Sequence, residues 1–412
     1  MSYTLIINHT SMINVGGIEK YLFQLVKYLR DNNHRVIWLC DRPPRVAKSF
    51  ESVFLNSNVE RYDVCTHGMI WYRVPQIKFS EDEIVVMMSF EPIEMAQAEL
   101  FCHKYKSYHI FPLYFVPDTT GSQYYLERNF RGTIKGIVWK KLQVILERWE
   151  QENAIRFFSI TQVKPLEENY EIHILDVSKK ILKPVLAVGK LDYELVKRKA
   201  ENRNRFILIT VGRFDFPHKG YMLGLVRAYG RLKKIYKGLE LRIVGFGKDE
   251  AVLKAEIEKL DDKQSADIKL LGEASPDEIS NYMKEAHLNI SVAGAVGDGA
   301  RNGVLSIPAR NYCIGECEVY GYLPDSRLKS TSLEKGILVD DFIEEVILMS
   351  NEEYIQKCID SYNTYALNDV DPLYVFRCIE DSEPLHVRRD EIRFFKYLTY
   401  CKKIIDKLGV VQ

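Results

Sequence analysis

Short apolar runs alternate with longer amphipathic stretches along most of the chain. YTLIIN (3–8), RVIWLC (35–40), EIVVMM (83–88), HIFPLYFV (109–116), RFFSI (156–160) and IHIL (172–175) have the length and composition of strands. Between the first two runs lies GIEKYLFQLVKYLRDN, in which Ile18, Leu22, Leu25, Val26 and Leu29 recur at helical spacing on one stripe. The same alternation restarts with RFILITV (205–211), ELRIVG (240–245), IKLLG (268–272), LNISV (288–292) and GILVD (336–340). Nearly continuous apolar strands joined by helices predict parallel sheets covered on both faces. Residues 189–205, GKLDYELVKRKAENRNR, are highly charged and read as a linker, while DEIRFFKYLTYCKKIIDKL (390–408) has helical periodicity and no strand after it. The expectation is an α/β protein of two parallel-sheet domains facing a central cleft, 1–190 and 191–389, with the helix 390–412 crossing back onto the first.

Composition narrows the function classes. A chain of 412 residues exceeds one ordinary hydrophobic core, which agrees with two domains. Lys+Arg and Asp+Glu both number 57, so there is no global charge to attract nucleic acid, and any anion binding must be local. Eight cysteines without C-x-x-C spacing read as reduced thiols, and Cys313 and Cys317 lack a second pair or a nearby His to complete a metal tetrad. The start, MSYTLIINHTSM, has no basic segment followed by a long apolar core, and no stretch reaches the ~18 apolar residues of a membrane span. The reading is a cytoplasmic protein without a metal.

Candidate chemistry sits at the strand ends. INVGGIEKYL (13–22) places Gly16 and Gly17 between a strand and a helix, where backbone N–H groups can meet an anion or merely turn the chain. VGRFDFPHKG (211–220) sets Arg213 and Lys219 six residues apart, a fork and a mobile point charge that suit a phosphate pair; a solvated loop with unrelated charges is the alternative. IVGFGKDEAVL (243–253) carries Gly245 and Gly247 in a Gly-x-Gly turn found in nucleotide-binding sheets and ordinary βα turns alike. GDGARNGVLS (297–306) puts Asp298 and Arg301 at the mouth of the expected cleft, with Gly299 and Gly303 freeing backbone N–H groups and a helix VLSIPARNY (304–312) expected to follow. The dinucleotide fingerprint of a dehydrogenase, G-x-G-x-x-G with an acid about 20 residues on, is not present in the first loop.

In order and spacing, N-x-G-G-x-E (14–19), V-G-R-x-D-x-x-x-K-G, I-V-G-x-G and the final acid–glycine stretch resemble the family-4 retaining glycosyltransferases of GT-B architecture, with two Rossmann-like domains. ILKPVLAVGKLD (181–192), PDEISNYMKEAHLNISV and EKGILVDD (334–341) are further echoes. The resemblance implies transfer of a sugar from a UDP- or GDP-linked donor to an acceptor hydroxyl, with retention and no essential metal or other cofactor. It implies Arg213 and Lys219 on the donor diphosphate, Gly16 and Gly17 over the phosphate or sugar, and Gly245, Gly247, Asp298, Gly299, Ala300, Arg301 and Ser306 around the donor. Asp298, Arg213 and Lys219 are the implied catalytic groups, and Asn14 and Asp118 lie on the acceptor side.

Two departures stand out. The family carries two glutamates eight residues apart; here the pair is Asp298 and Ser306, a shorter acid and a hydroxyl. The His-Asp of many members is Pro117-Asp118 at the best match, and His109, which begins a strand, reads as a packed core residue. RNFRGTIKGIVWKK (128–141) holds five basic side chains, Phe130 and Trp139 with no acid, so a solvated basic face and contact with an anionic membrane are its two readings. The leading function is glycosyl transfer to a glycan or lipid-linked acceptor in surface polysaccharide or glycolipid assembly at the inner membrane face. A catalytically impaired relative that binds a nucleotide-sugar or a partner enzyme is the alternative, ahead of a nucleotide-sugar epimerase.

Overall fold

The computed structural model describes residues 2–9, 17–41, 44–65, 73–116, 132–158, 160–181, 190–313, 315–326, 335–366, 373–377, 379, 390–391 and 393–397. They form two compact units, one of Met1–Ala187 with Val370–Gln412 and one of Val188–Asp369.

The first unit is built on six parallel strands, β1 (Ser2–Asn8), β2 (Arg35–Asp41), β3 (Val59–Cys65), β4 (Glu83–Ser89), β5 (Ile110–Val116) and β6 (Ile155–Phe157), in the order β3-β2-β1-β4-β5-β6. The helix Gly17–Asp31 packs one face of the sheet through Leu22, Leu25, Val26 and Leu29, all fully buried. On the other face Ala98, Phe101, Leu142, Ile145 and Trp149 close the core. Covered on both sides, β4 and β5 are almost wholly buried, which explains their unbroken apolar composition.

Three elements of this unit depart from the sequence expectation. β3 was hidden because its Glu60, Arg61 and Asp63 belong to a sheet edge, where one flank stays wet. Residues 172–175 are not a strand: Ile172 and Ile174 are buried, but Glu167 accepts the Ile174 N–H at 3.0 Å and Glu150 that of Leu175 at 2.8 Å, so carboxylates replace a ladder partner. The chain also returns to this unit at 370 rather than at 390, because Val375, Phe376 and Ile379 are buried in its core and Phe376 packs on Tyr3 at 4.7 Å between rings. Farther on, Arg148 bonds Glu99 and Glu391, and Phe395 stacks on Trp149 at 6.4 Å.

The second unit has five parallel strands, β7 (Phe206–Val211), β8 (Leu239–Val244), β9 (Ile268–Gly272), β10 (Leu288–Ser291) and β11 (Leu305–Pro308), in the order β11-β10-β7-β8-β9. A short antiparallel pair, β12 (Glu318–Val319) and β13 (Ile337–Leu338), stands beside it. The charged stretch read as a linker holds a helix, Tyr193–Glu201, capped by the Asp192 carboxylate on the Leu195 N–H at 2.9 Å. Val196 and Ala200 anchor it in the core, a stripe of two residues that its charged neighbours obscured. Residues 304–312 form strand β11 and a turn, not a helix, since Leu305 and Ile307 extend the sheet beside β10. Residues 336–340 give only the two-residue β13 before the helix Val339–Leu348 starts.

Candidate functional site

In both sheets the strand order reverses at one point, between β1 and β4 in the first unit and between β7 and β10 in the second. Loops leaving the carboxyl ends on either side of such a point diverge to opposite faces and open a crevice. In the second unit the two loops are residues 212–220, after β7, and residues 292–294, which lead from β10 into the helix Gly294–Arg301. The strand ends are tied together: the Val211 N–H donates to Ser291 Oγ at 3.1 Å, and Ser291 Oγ donates to Asn289 Oδ1 at 2.7 Å.

The 212–220 loop is held by the loop after β8. The Phe214 N–H donates to the Phe246 carbonyl at 2.9 Å, the Phe216 N–H to Asp249 Oδ2 at 2.7 Å, and Lys248 pairs with Asp215 at 3.0 Å. Such close approach explains the Gly-x-Gly turn. A Cβ on Gly245 would lie 1.9 Å from the Gly212 carbonyl oxygen, and one on Gly247 2.4 Å from that of Phe214. These glycines let one loop brace another.

What the brace holds is a pair of cations. Arg213 is exposed; Lys219, at the entry to the helix Tyr221–Lys233, is partly buried, its stem passing Gly212. Among the described residues neither makes an ion pair. Burial, aided by repulsion from Arg213 and offset by Asp215, pulls the Lys219 ammonium down to about 8. Burial and Lys219 likewise lower the neighbouring His218, which stacks on Tyr312 at 4.9 Å between rings while Tyr312 remains 68% exposed. The sequence singled out neither His218 nor Tyr312, because the contact joins residues 94 positions apart in the chain, from loops after two different strands.

The 297–306 stretch is arranged differently from the sequence expectation. Its first half is helical, Gly294–Arg301, and Asp298 lies in the second turn, nearly buried and paired with Arg301 at 2.7 Å. Arg301 in turn lies over the Tyr365 ring, 5.9 Å from its centre. Gly299 serves packing: a Cβ there would lie 2.3 Å from Asn289 Nδ2 and 2.5 Å from Ser306 Oγ, so only glycine seats this helix on the sheet. Ala300 and Ser306 are fully buried; Ser306 Oγ donates to the Val304 carbonyl at 3.1 Å and accepts from Asn289. Ser306 is therefore an interior residue of β11, and its hydroxyl is engaged inside the unit. Gly303, at φ +67°, ends the helix in the left-handed conformation.

In the first unit, Gly17 opens its helix, whereas Asn14, Gly16 and Asp118 lie outside the described residues. A group the sequence reading passed over stands at the reversal point. His9, just after β1, bonds Glu94 through Nδ1 at 3.0 Å, and Glu94 also accepts the N–H groups of Phe90 at 2.9 Å and Glu91 at 3.2 Å. Burial opposes a charge on His9, but Glu94, with Glu19 and Glu91 farther off, prevails and raises the imidazole to about 9. A lone histidine after a strand carries no sign of this, since Glu94 follows 85 residues later.

Of the basic, aromatic stretch, Arg128, Phe130 and Arg131 lie outside the described residues. Trp139 donates to the Asn169 carbonyl at 2.7 Å and Lys141 pairs with Asp390 at 2.8 Å, so both are engaged within the unit. Among the described residues there is no helix long and apolar enough to cross a membrane and no cluster of three or more metal-ligating side chains.

Residues 193–294 match the family described as Glycosyl transferases group 1. The match falls within the second unit. The matched segment runs from the helix Tyr193–Glu201 to the start of the helix Gly294–Arg301 and so includes the Arg213–Lys219 loop and its glycine brace. The chain is similar in fold to the crystal structure of Anabaena Alr3699/HepE in complex with UDP and glucose, at 12% identity and a TM-score of 0.55, over 92% of this chain and 98% of that one. It is also similar to the N-terminal domain of Candida albicans trehalose-6-phosphate phosphatase, at 10% identity and a TM-score of 0.50, over 92% and 96% of the two chains. No curated protein sequence matches it. Two Rossmann-like parallel-sheet units of the GT-B class are thus established as the fold.

Proposed function

We propose that the protein transfers a sugar from a nucleotide-sugar to an acceptor hydroxyl. The observation that carries this reading is the Arg213–Lys219 pair, two cations that make no ion pair among the described residues and have Asp215, itself paired with Lys248, as their neighbouring carboxylate, braced over the reversal point of a sheet that matches a glycosyltransferase family. A diphosphate supplies the missing countercharge, and as the sugar departs the same groups stabilise the charge growing on the leaving phosphate. The exposed Tyr312 ring, stacked on His218 beside Lys219, offers a flat apolar face next to the phosphate position. UDP-hexoses are the first donors to test, in keeping with the UDP and glucose in the HepE structure. Retention of configuration, a glycan or lipid-linked acceptor and action at the inner membrane face in polysaccharide or glycolipid assembly complete the proposal.

One observation favours the second reading, a donor-binding protein impaired in turnover. Asp298 is neutralised by Arg301, and Ser306 is sealed inside the sheet, so neither residue of the expected acidic pair is a free carboxylate. Incubation of the purified protein with UDP-, GDP-, ADP- and CMP-sugars, with nucleotide release and product mass as readouts, separates the two. Transfer supports the enzyme, binding without release supports the impaired relative, and absence of both overturns the nucleotide-sugar assignment.

A further inference from the structure

A pocket lies in the second unit at the amino ends of its strands, away from the 212–220 loop. It has a volume of about 490 Å³ and is lined by Leu195, Arg198 and Lys199 of the helix Tyr193–Glu201, by Asn202, Asn204, Arg205 and Ile207 entering β7, and by Lys284, Glu285 and His287 ahead of β10. β7 is six residues long, which sets this pocket roughly 20 Å from the Arg213–Lys219 loop.

Its polar wall is cationic and incomplete. Arg205 is matched by Glu240, and Glu285 by Arg242 at 2.6 Å, which leaves Arg198, Lys199 and Lys284 without an ion pair among the described residues, Asp192 acting on Lys199 only from a distance. The carboxyl ends of the two flanking helices, Tyr193–Glu201 and Pro276–Glu285, contribute about half a negative charge each. Three cations therefore exceed what the helix ends balance. Lys199 is buried, its ammonium donating to the Gly303 carbonyl at 2.9 Å, and burial draws it down to about 8.

The deciding group is His287, only 5% exposed. Its Nδ1 accepts the Ile207 N–H at 3.1 Å, which places the ring proton on Nε2. Among the described residues that Nε2–H has no hydrogen-bond partner, and the Asn202 backbone is the one acceptor whose influence on the ring favours its charged form. Burial, together with Lys199, holds the ring neutral, at about 4. A buried donor without an acceptor costs free energy that a ligand oxygen would return.

We propose that this pocket binds a phosphate-bearing small metabolite, its phosphate held by Arg198, Lys199 and Lys284 and one of its oxygens accepting from His287 Nε2. The volume exceeds that of a bare phosphate and suits a sugar phosphate, whose carbon skeleton would lie on Leu195 and Ile207. The site stands apart from the donor site proposed above.

Isothermal calorimetry on the full chain, with inorganic phosphate, glucose 6-phosphate and glucose as probes, tests the assignment. Glucose 6-phosphate is expected to bind more tightly than phosphate, and glucose not at all. Arg198→Ala and Lys284→Ala, both at exposed positions, should each weaken glucose 6-phosphate about tenfold. His287→Asn should weaken it as well, and Lys219→Ala should leave it unchanged. No binding of either phosphate, or binding lost in Lys219→Ala and kept in Arg198→Ala and Lys284→Ala, overturns the proposal. The last result would leave the donor-site reading intact.

Discussion

Replacing Lys219 should strengthen the fold while weakening the donor. Burial, with Arg213 beside it, holds the Lys219 ammonium at about 8 against an ordinary 10.5, a gap of roughly 3 kcal/mol against the charged form. In the free protein this penalty is fully present below pH 8 and fades as pH rises toward 10.5, because in that window the unfolded chain binds the proton and the folded one does not. Lys219→Met should therefore raise unfolding stability in urea at pH 7 by up to roughly 3 kcal/mol. A nucleoside diphosphate reverses the balance by supplying the countercharge. UDP affinity should be flat up to pH 8 and then weaken about tenfold per pH unit, since binding above pH 8 requires uptake of a proton. Asp215 and His218, both lowered, keep constant charges over this range, so the break at pH 8 is assigned to Lys219. In Lys219→Met the break should vanish and UDP at pH 7 should weaken on the order of 10²-fold. Lys219→Arg should lose the break but keep the affinity to within about tenfold. Calorimetric titration of UDP from pH 7 to pH 10 reads all three proteins. A wild-type affinity that stays flat to pH 10, or a methionine variant that binds like wild type, refutes the reasoning.

Other expectations follow from the same geometry. Gly247→Ala drives a Cβ to 2.4 Å from the Phe214 carbonyl oxygen and should cost at least about 2 kcal/mol in thermal unfolding, loosening the Arg213–Lys219 loop and UDP binding with it. Asp298→Asn leaves Arg301 without its countercharge; if Asp298 takes part in transfer, turnover should fall on the order of 10²-fold, whereas an unchanged rate assigns it to structure. Arg148→Met strands the buried carboxylates of Glu99 and Glu391 and should cost about 3–5 kcal/mol, seen as early loss of the first unit in limited proteolysis. The His9–Glu94 pair contributes stability that is complete below pH 6.5 and is lost as pH rises through about 9; Glu94→Gln should flatten that stretch of the stability–pH curve.

The alternation of apolar runs and amphipathic stretches was enough to specify two parallel-sheet units, because strands covered on both faces must be apolar throughout and the helices covering them must be striped. That Arg213 and Lys219 stand near one another was legible for a similar reason: both lie in one short loop, so their spacing in the chain bounds their spacing in space. The edge strand Val59–Cys65 and the helix Tyr193–Glu201 were not legible, since half-exposed elements carry charge on their wet side that mimics a loop or linker. Nor could the sequence separate glycines that serve a ligand from glycines that serve packing. Gly245 and Gly247 lie against the 212–216 loop, and Gly299 against Asn289 and Ser306, contacts that exist only once distant strands stand side by side. Tertiary structure alone likewise placed Ser306 inside the sheet, gave Asp298 to Arg301 and set His9 on Glu94. It also left the Nε2–H of His287 without an acceptor among the described residues, in a basic pocket. Residue type fixes what a side chain can do; the charge it carries and the partner it meets depend on burial and on neighbours brought from elsewhere in the chain.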